Sequence, residues 1–412
     1  MRTTLDRPLI LTLLALCAYG LAMVYSAGQT DLPTSAEGDW VRQSIWMGVA
    51  VVAGAGAFRI SFRILEWVAP LLYGLGLVLL AVTLVAGTGA GTAAGTKSWL
   101  AIGGVRVGQP VELAKIGVIL LLARYLSGLR QPPQTLRDLV QPGLITGAPF
   151  LLVMLQPDLG SAIVFIMILF AMLFWAGVKP SLLLLLASPF VSLILAIDTR
   201  WWGAWILLLT VLLLIWRIYV AEGVLIWLVN CAMGVVAIIL WGRLKPYQQK
   251  RLISFVNPDI DPRGFSYQVT QSKVAIGSGG WFGNGYLDGP QKRLAFLPAQ
   301  PTDFIFSVVG EELGFVGVVI ALSLLLTLFL ILVRIARRAT NTFSSLVVFG
   351  VLGLLFAHVF ENVGMTISVM PITGIPLPFF SYGGSFVLAC GIAMGLVMRV
   401  AYDSRSSGYI EQ

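Results

Sequence analysis

Charge is scarce in this sequence. Only 11% of its 412 residues are Asp, Glu, Lys or Arg, whereas a soluble domain carries about a quarter. With 58% hydrophobic residues and a mean hydropathy of +0.90, that shortage excludes an ordinary soluble protein and leaves an integral membrane protein. Histidine is scarcer still. The single His358 removes any histidine-based metal site and reads as a hydrogen-bonded core residue rather than a catalyst. Cys17, Cys231 and Cys390 each lie inside an apolar run, which argues against a disulfide framework or a cysteine metal cluster. Short alternating segments, the mark of a membrane barrel, are missing too. The apolar runs are continuous and helix-length, so the expected fold is all-α and polytopic.

Spans are expected near 8–27, 43–58, 67–87, 109–127, 140–156, 160–177, 181–197, 203–219, 223–241, 304–333, 343–363 and 383–400. The first has no small-residue cleavage pattern and reads as an uncleaved helix. The tenth is too long for a simple span, so its first turns belong to a polar region. With the N-terminus placed in the cytoplasm, fourteen Lys and Arg residues fall inside and four (Arg42, Lys97, Arg106, Arg200) in short outer connections. That bias puts both termini in the cytoplasm and residues 242–303 outside. The net charge of +8 then reflects topology and lipid headgroups, not nucleic acid.

The interval from Tyr247 to Gly314 is the one long polar stretch. It holds Asp259, Asp261, Asp288 and Asp303, with Lys250, Arg251, Arg263, Lys273, Lys292 and Arg293. Seven glycines fall from Gly264 to Gly289, where backbone must turn or approach something closely. The run GSGGWFGNG lacks the Gly-Lys-Ser/Thr of a phosphate loop and reads as turns beside a ligand or helix. Long loops are functional or disordered, and the aromatics here favour function. A basic excess outside also runs against the charge bias, and an anionic substrate would account for it.

Four local features stand apart. Lys97-Ser98-Trp99 with Arg106 suits a connection lying at the membrane surface, with Trp99 as an interfacial anchor or a substrate contact. Glu112 and Lys115 are three apart and share a helix face inside a span, as a cavity-facing or a purely structural pair. In Gln156-Pro157-Asp158-Leu159-Gly160, Asp158 is placed to cap the following helix, or to act in chemistry. The run from Asn362 to Ser385, rich in Pro and Gly, cannot be a plain helix. Broken backbone at membrane depth must line a cavity or be buried in protein.

These residues resemble the SEDS family (shape, elongation, division and sporulation), membrane glycosyltransferases that polymerise peptidoglycan. The resemblance runs through KSWLAIGG, QPVELAK, LQPDLGS, NPDIDPRGFSYQVTQSKVAIGSGG, QKRLAFLP, TDFIFSVVGEELG, NVGMT and MPITGIPLPFFSYGGS, in order. SKVAIGSGG and MPITGIPLP are closer to its elongation branch than to its division branch. Three departures occur. Pro298-Ala299-Gln300-Pro301-Thr302-Asp303 replaces the usual Pro-Glu-x-His-Thr-Asp, Lys97-Ser98-Trp99 replaces a commoner basic pair, and 181–241 holds three spans where most members have one.

The resemblance implies a single membrane domain, 1–412, that polymerises lipid II into β-1,4 glycan with inversion and release of undecaprenyl pyrophosphate, for cell-wall elongation and rod shape. It implies Asp261, in Asp261-Pro262-Arg263-Gly264, as the general base, with Asp259 as its rival. Trp99, Glu112, Lys115, Arg251, Gln268, Gln271, Ser272, Lys273, Asp303 and Ser381 are the substrate-binding candidates. Basic side chains would stabilise charge on the pyrophosphate. A divalent cation such as Mg2+ or Mn2+ could assist there, although the sequence identifies no ligands for one. The expected partners are lipid II, a class B penicillin-binding protein as transpeptidase, other elongation-complex proteins and membrane lipid, in the bacterial cytoplasmic membrane. The competing class is a lipid II flippase or other transporter.

Overall fold

A computed structural model describes residues 5–34, 36–89, 98–102, 105–196, 198–216, 220–243, 249, 265–297 and 299–407. Each of the twelve expected spans coincides with a helix of 16 to 33 residues. These are α1 (Arg7–Gly28), α2 (Asp39–Arg59), α3 (Phe62–Ala86), α4 (Pro110–Ser127), α5 (Val140–Leu155), α6 (Leu159–Trp175), α7 (Pro180–Leu195), α8 (Thr199–Trp216) and α9 (Val220–Arg243). After the polar interval come α12 (Ile305–Arg337), α13 (Thr342–Thr366) and α14 (Gly384–Ser407). Among the described residues, nine helices are long and apolar enough to cross a membrane. The protein is a multi-pass helical membrane protein.

Two connections carry more structure than their sequence suggests. The 242–303 interval is not all loop, because α10 (Phe265–Ser278) and the short α11 (Pro290–Arg293) lie within it. The connection before α4 contains a small antiparallel sheet of β1 (Gly87–Thr88), β2 (Trp99–Ile102) and β3 (Val105–Gly108), paired in that order. Its strands are short, with Thr88, Ile102, Val105 and Val107 as β-branched residues, and no 3.6-residue apolar stripe competes with them.

Helix starts follow local chemistry. Asp6 caps α1 by accepting from Leu9 N at 3.1 Å, with Pro8 in the first turn where a missing N–H costs nothing. Asn341 caps α13 through Ser344 N at 2.8 Å. Lipid supplies no hydrophobic drive between helices, so close packing must hold them. The α2–α14 seam shows it: a Cβ added at Gly54 would sit 2.6 Å from the Gly391 carbonyl. At the end away from the long interval, Asp6 also receives Arg334 at 2.8 Å and Arg405, tying α1, α12 and α14 together.

The three helices of 181–241 form a side bundle in which α8 and α9 pack on α7 and on each other. Its centre is Asn230, buried, donating to Ser188 Oγ at 2.8 Å and accepting from Trp205 Nε1 at 3.3 Å. A buried amide so satisfied fixes the register of helices that are otherwise greasy on all sides.

α12 is two helices, as its length required. Gly314 takes φ 62° and ψ −159°, which breaks the α-helix. The orphan groups at the break are met by the glycine-rich turn. Phe315 N donates to Gly280 O at 2.9 Å and Val316 N to Trp281 O at 3.1 Å. Asn284 N and Gly285 N donate back to Glu311 O and Glu312 O at 3.0 and 3.1 Å. The GSGGWFGNG glycines are thus turns beside a helix.

Candidate active site

The candidate site is built where α4, α6, α13 and the broken segment 370–383 meet. On α4, Lys115 Nζ lies 2.8 Å from Glu112 Oε1, the side chains being 0% and 3% exposed. The spacing of three that suggested a shared face therefore brings the charges together. Lys115 Nζ is also 3.0 Å from His358 Nε2 on α13. His358 Nδ1 faces the Pro376 carbonyl at 3.1 Å. A carbonyl can only accept, so Nδ1 carries the proton and Nε2 accepts from the lysine. The imidazole stacks on Phe386, centroids 4.2 Å apart.

One turn on, Glu361 is fully buried, and neither of its oxygens meets a donor in hydrogen-bonding geometry, although the Thr373 hydroxyl lies beside it. Glu112 Oε2 and Asn362 Oδ1 are sealed without a donor as well. The cluster therefore gathers ionisable groups where any charge is costly to desolvate.

Above it, Asp158 caps α6 through Ser161 N at 3.0 Å and Ser161 Oγ at 2.9 Å, as its sequence predicts, and reaches Gln109 Nε2 at 3.4 Å. Gln109 N donates to Ser385 Oγ at 3.1 Å, joining α4 to α14. Asn362 Nδ2 donates to Asp303 O at 2.9 Å and Ile375 O at 2.8 Å, so one amide holds the start of α12 against the broken segment. Ser381 is buried and its hydroxyl is committed, accepting from Leu377 N at 2.8 Å and donating to Thr302 O at 2.5 Å. Gln43 on α2 brackets the next turn, donating to Ser381 O at 3.0 Å and accepting from Gly383 N at 3.2 Å. Burial, then the Asp39 carboxylate, push the neighbouring Tyr382 phenol up, against the lowering effect of Arg42.

The α10 candidates divide by face. Ser272 is buried, 2.6 Å from Ser307 Oγ and 2.7 Å from Thr366 O, and anchors α10 to α12 and α13. Gln268 turns a sealed, partnerless Oε1 inward, Gln271 is half-buried, and Lys273 is exposed. Asp303 and Trp99 are half-buried, Trp99 on β2. Asp261, Asp259, Arg251, Lys250, Arg263 and Lys97 lie outside the described residues, as does the side chain of Arg106.

The basic excess of the interval needs correcting. Lys292 is fully buried, its ammonium 3.0 Å from Glu312 Oε1 and 3.0 Å from Leu287 O. Glu312 also accepts from Ser26 Oγ at 2.6 Å, and Glu311 accepts from Gln291 N at 2.6 Å and Lys292 N at 3.2 Å. Arg293 pairs with Asp31 at 3.1 Å. Lys292 is sealed away from any anion, and Arg293 is already paired at the surface. GEELG and QKR instead fasten the loop to the broken helix.

Sequence reasoning missed Glu361 and the Glu311–Glu312–Lys292 lock, and it gave His358 only a core role. The signal for Glu361 was present: it stands three residues after His358, the spacing that exposed the Glu112–Lys115 pair. Among the described residues no three His, Cys, Asp or Glu side chains converge as metal ligands.

A helical membrane bundle with ionisable side chains buried beside a broken segment defines the class, a polytopic membrane protein with a polar interior. The chain belongs to the family described as Cell cycle protein (FtsW, RodA, SpoVE), which it matches over residues 7–202 and 199–406. It is 37% identical to the peptidoglycan glycosyltransferase RodA of Treponema pallidum, over 96% of this chain and 97% of that one. Its fold is similar to that of a chain from a peptidoglycan synthase complex that coordinates polymerization and crosslinking (TM-score 0.72, 31% identity, 97% and 98% of the two chains). The crystal structure of Thermus thermophilus rod shape-determining protein RodA is also similar (TM-score 0.63, 28% identity, 97% of each chain).

Proposed function

We propose that this protein is a peptidoglycan glycosyltransferase that polymerises lipid II into β-1,4 glycan strands for cell-wall elongation, in the bacterial cytoplasmic membrane with both termini inside. The observation that carries this is similarity along nearly the whole chain to relatives named for that activity.

Asp261 takes the proton from the acceptor sugar hydroxyl. The freed oxygen forms a bond to the donor's anomeric carbon as the bond from that carbon to the pyrophosphate breaks. The configuration inverts, and the pyrophosphate leaves on its lipid with the electron pair. Lys273, exposed on α10, and Arg251 are the cations proposed for the developing charge. Gln268 and Gln271 on α10, and Asp303 just before α12, are proposed contacts to sugar or peptide. Ser272 and Ser381 would shape that wall through the bonds above. A divalent cation would add charge stabilisation at the pyrophosphate, and among the described residues no group of three or more His, Cys, Asp or Glu side chains is placed to hold one.

A transpeptidase of the penicillin-binding class is the proposed partner, supported by the resemblance to a chain of a synthase complex. The test is conversion of lipid II to polymer by the purified protein, alone and with that partner. Transbilayer movement of lipid II without polymer would instead make it a flippase.

A further inference from the structure

Lys115 has an acceptor besides Glu112, and it is not charged. The ammonium is fully buried, with a carboxylate on its own helix at 2.8 Å and the His358 imidazole from α13 at 3.0 Å. His358 is fixed on its other edge by the carbonyl of Pro376 and on its face by Phe386. Pro376 belongs to the broken segment, and the next carbonyl back, Ile375 O, is held by Asn362 from the same helix as His358. One imidazole thus touches α4, α14 and the segment that walls the site.

The bonding order fixes its state. The Pro376 carbonyl demands a proton on Nδ1, and the lysine demands a lone pair on Nε2. A neutral imidazole meets both demands, whereas an imidazolium would set two cations against each other in a dry site. We propose that His358 is a positioning residue of the transferase: a neutral acceptor that sets the place of the Lys115 ammonium relative to the 370–383 wall. This rests on the glycosyltransferase reading for its consequence in catalysis, though not for its geometry. Packing alone would need no acceptor at Nε2 and no donor at Nδ1, and an apolar ring would serve.

The sequence makes the test clean, because His358 is its only histidine. In the full chain in lipid nanodiscs, 15N-histidine labelling gives one imidazole to follow. The expected spectrum shows Nδ1 protonated and Nε2 unprotonated, and Lys115→Met shifts the Nε2 signal. An imidazolium, an Nε2–H tautomer, or an Nε2 signal indifferent to Lys115→Met overturns the proposal.

Kinetics supply the second arm. His358→Leu, which can neither donate nor accept, should lower kcat for lipid II polymerisation on the order of tenfold or more with KM little changed. His358→Gln, which can do both, should restore most of it. In a Lys115→Met background, His358→Leu should add little further loss. Wild-type kcat in His358→Leu, or equal losses for Leu and Gln in folded protein, would also overturn it. If His358→Leu does not fold, the spectra decide. If wild type makes no polymer, the glycosyltransferase reading fails while the spectra still test the positioning.

Discussion

The ammonium of Lys292 lies 3.0 Å from the carboxylate of Glu312, and both side chains are wholly shielded from solvent. This pair joins the loop to the first half of the broken helix, with Ser26 and the Glu311 carboxylate completing the bonding. Lys292→Met would strand Glu312 in a dry site and cost about 3–5 kcal/mol. Thermal unfolding of purified variants should therefore show a clear loss of stability. KM for lipid II in the folded fraction should stay near wild type. An unchanged melting temperature with a raised KM would return Lys292 to the substrate.

Glu112 and Lys115 should behave as a unit. Either single change, Glu112→Gln or Lys115→Met, removes the partner of a buried charge. Doing both removes the imbalance, so the double variant should be milder than the sum by at least about 1 kcal/mol. A double-mutant cycle on stability and on polymerisation rate checks this, and simple additivity would contradict the contact.

Asp158 separates capping from chemistry. Asp158→Ala removes the α6 cap and should cost about 0.5–2 kcal/mol, whereas Asp158→Ser keeps an acceptor and should recover most of it. Activity should follow stability in both. Full stability with lost polymerisation in Asp158→Ser would assign the carboxylate a chemical role.

Lys273 is the opposite of Lys292. It is exposed on α10, so Lys273→Gln should leave stability within about 0.5 kcal/mol of wild type. Initial rates against lipid II concentration should show a raised KM if the ammonium meets the pyrophosphate, and a wild-type KM would remove it from the site.

Much of this was legible in the sequence, for physical reasons. The helices were, because continuous apolar runs at a lipid-spanning length have few other solutions. So was the Glu112–Lys115 contact, since a spacing of three fixes a shared face, and so was Asp158 as a cap. The loop was harder. Lys292 and Lys273 look alike in a basic, glycine-rich stretch, and burial alone tells them apart. That burial depends on Glu312 and Ser26, 20 residues downstream and 266 upstream of Lys292. His358 was illegible as a partner of Lys115 because the contact crosses 243 residues of chain. The sheet at 87–108 was hidden by strands of two to four residues, too short for an alternating pattern to register.

The central claim is that the chain polymerises lipid II with Asp261 as base. The most direct measurement is glycan product from purified lipid II, made by the wild-type protein with its transpeptidase partner and by Asp261→Asn under the same conditions. Asparagine keeps the size of the side chain and removes its basicity. The predicted result is polymer from wild type and, from a folded, partner-binding Asp261→Asn, a rate lower by about two to four orders of magnitude. Near-normal glycan synthesis by Asp261→Asn would contradict it, and loss in Asp259→Asn alone would move the base two residues upstream.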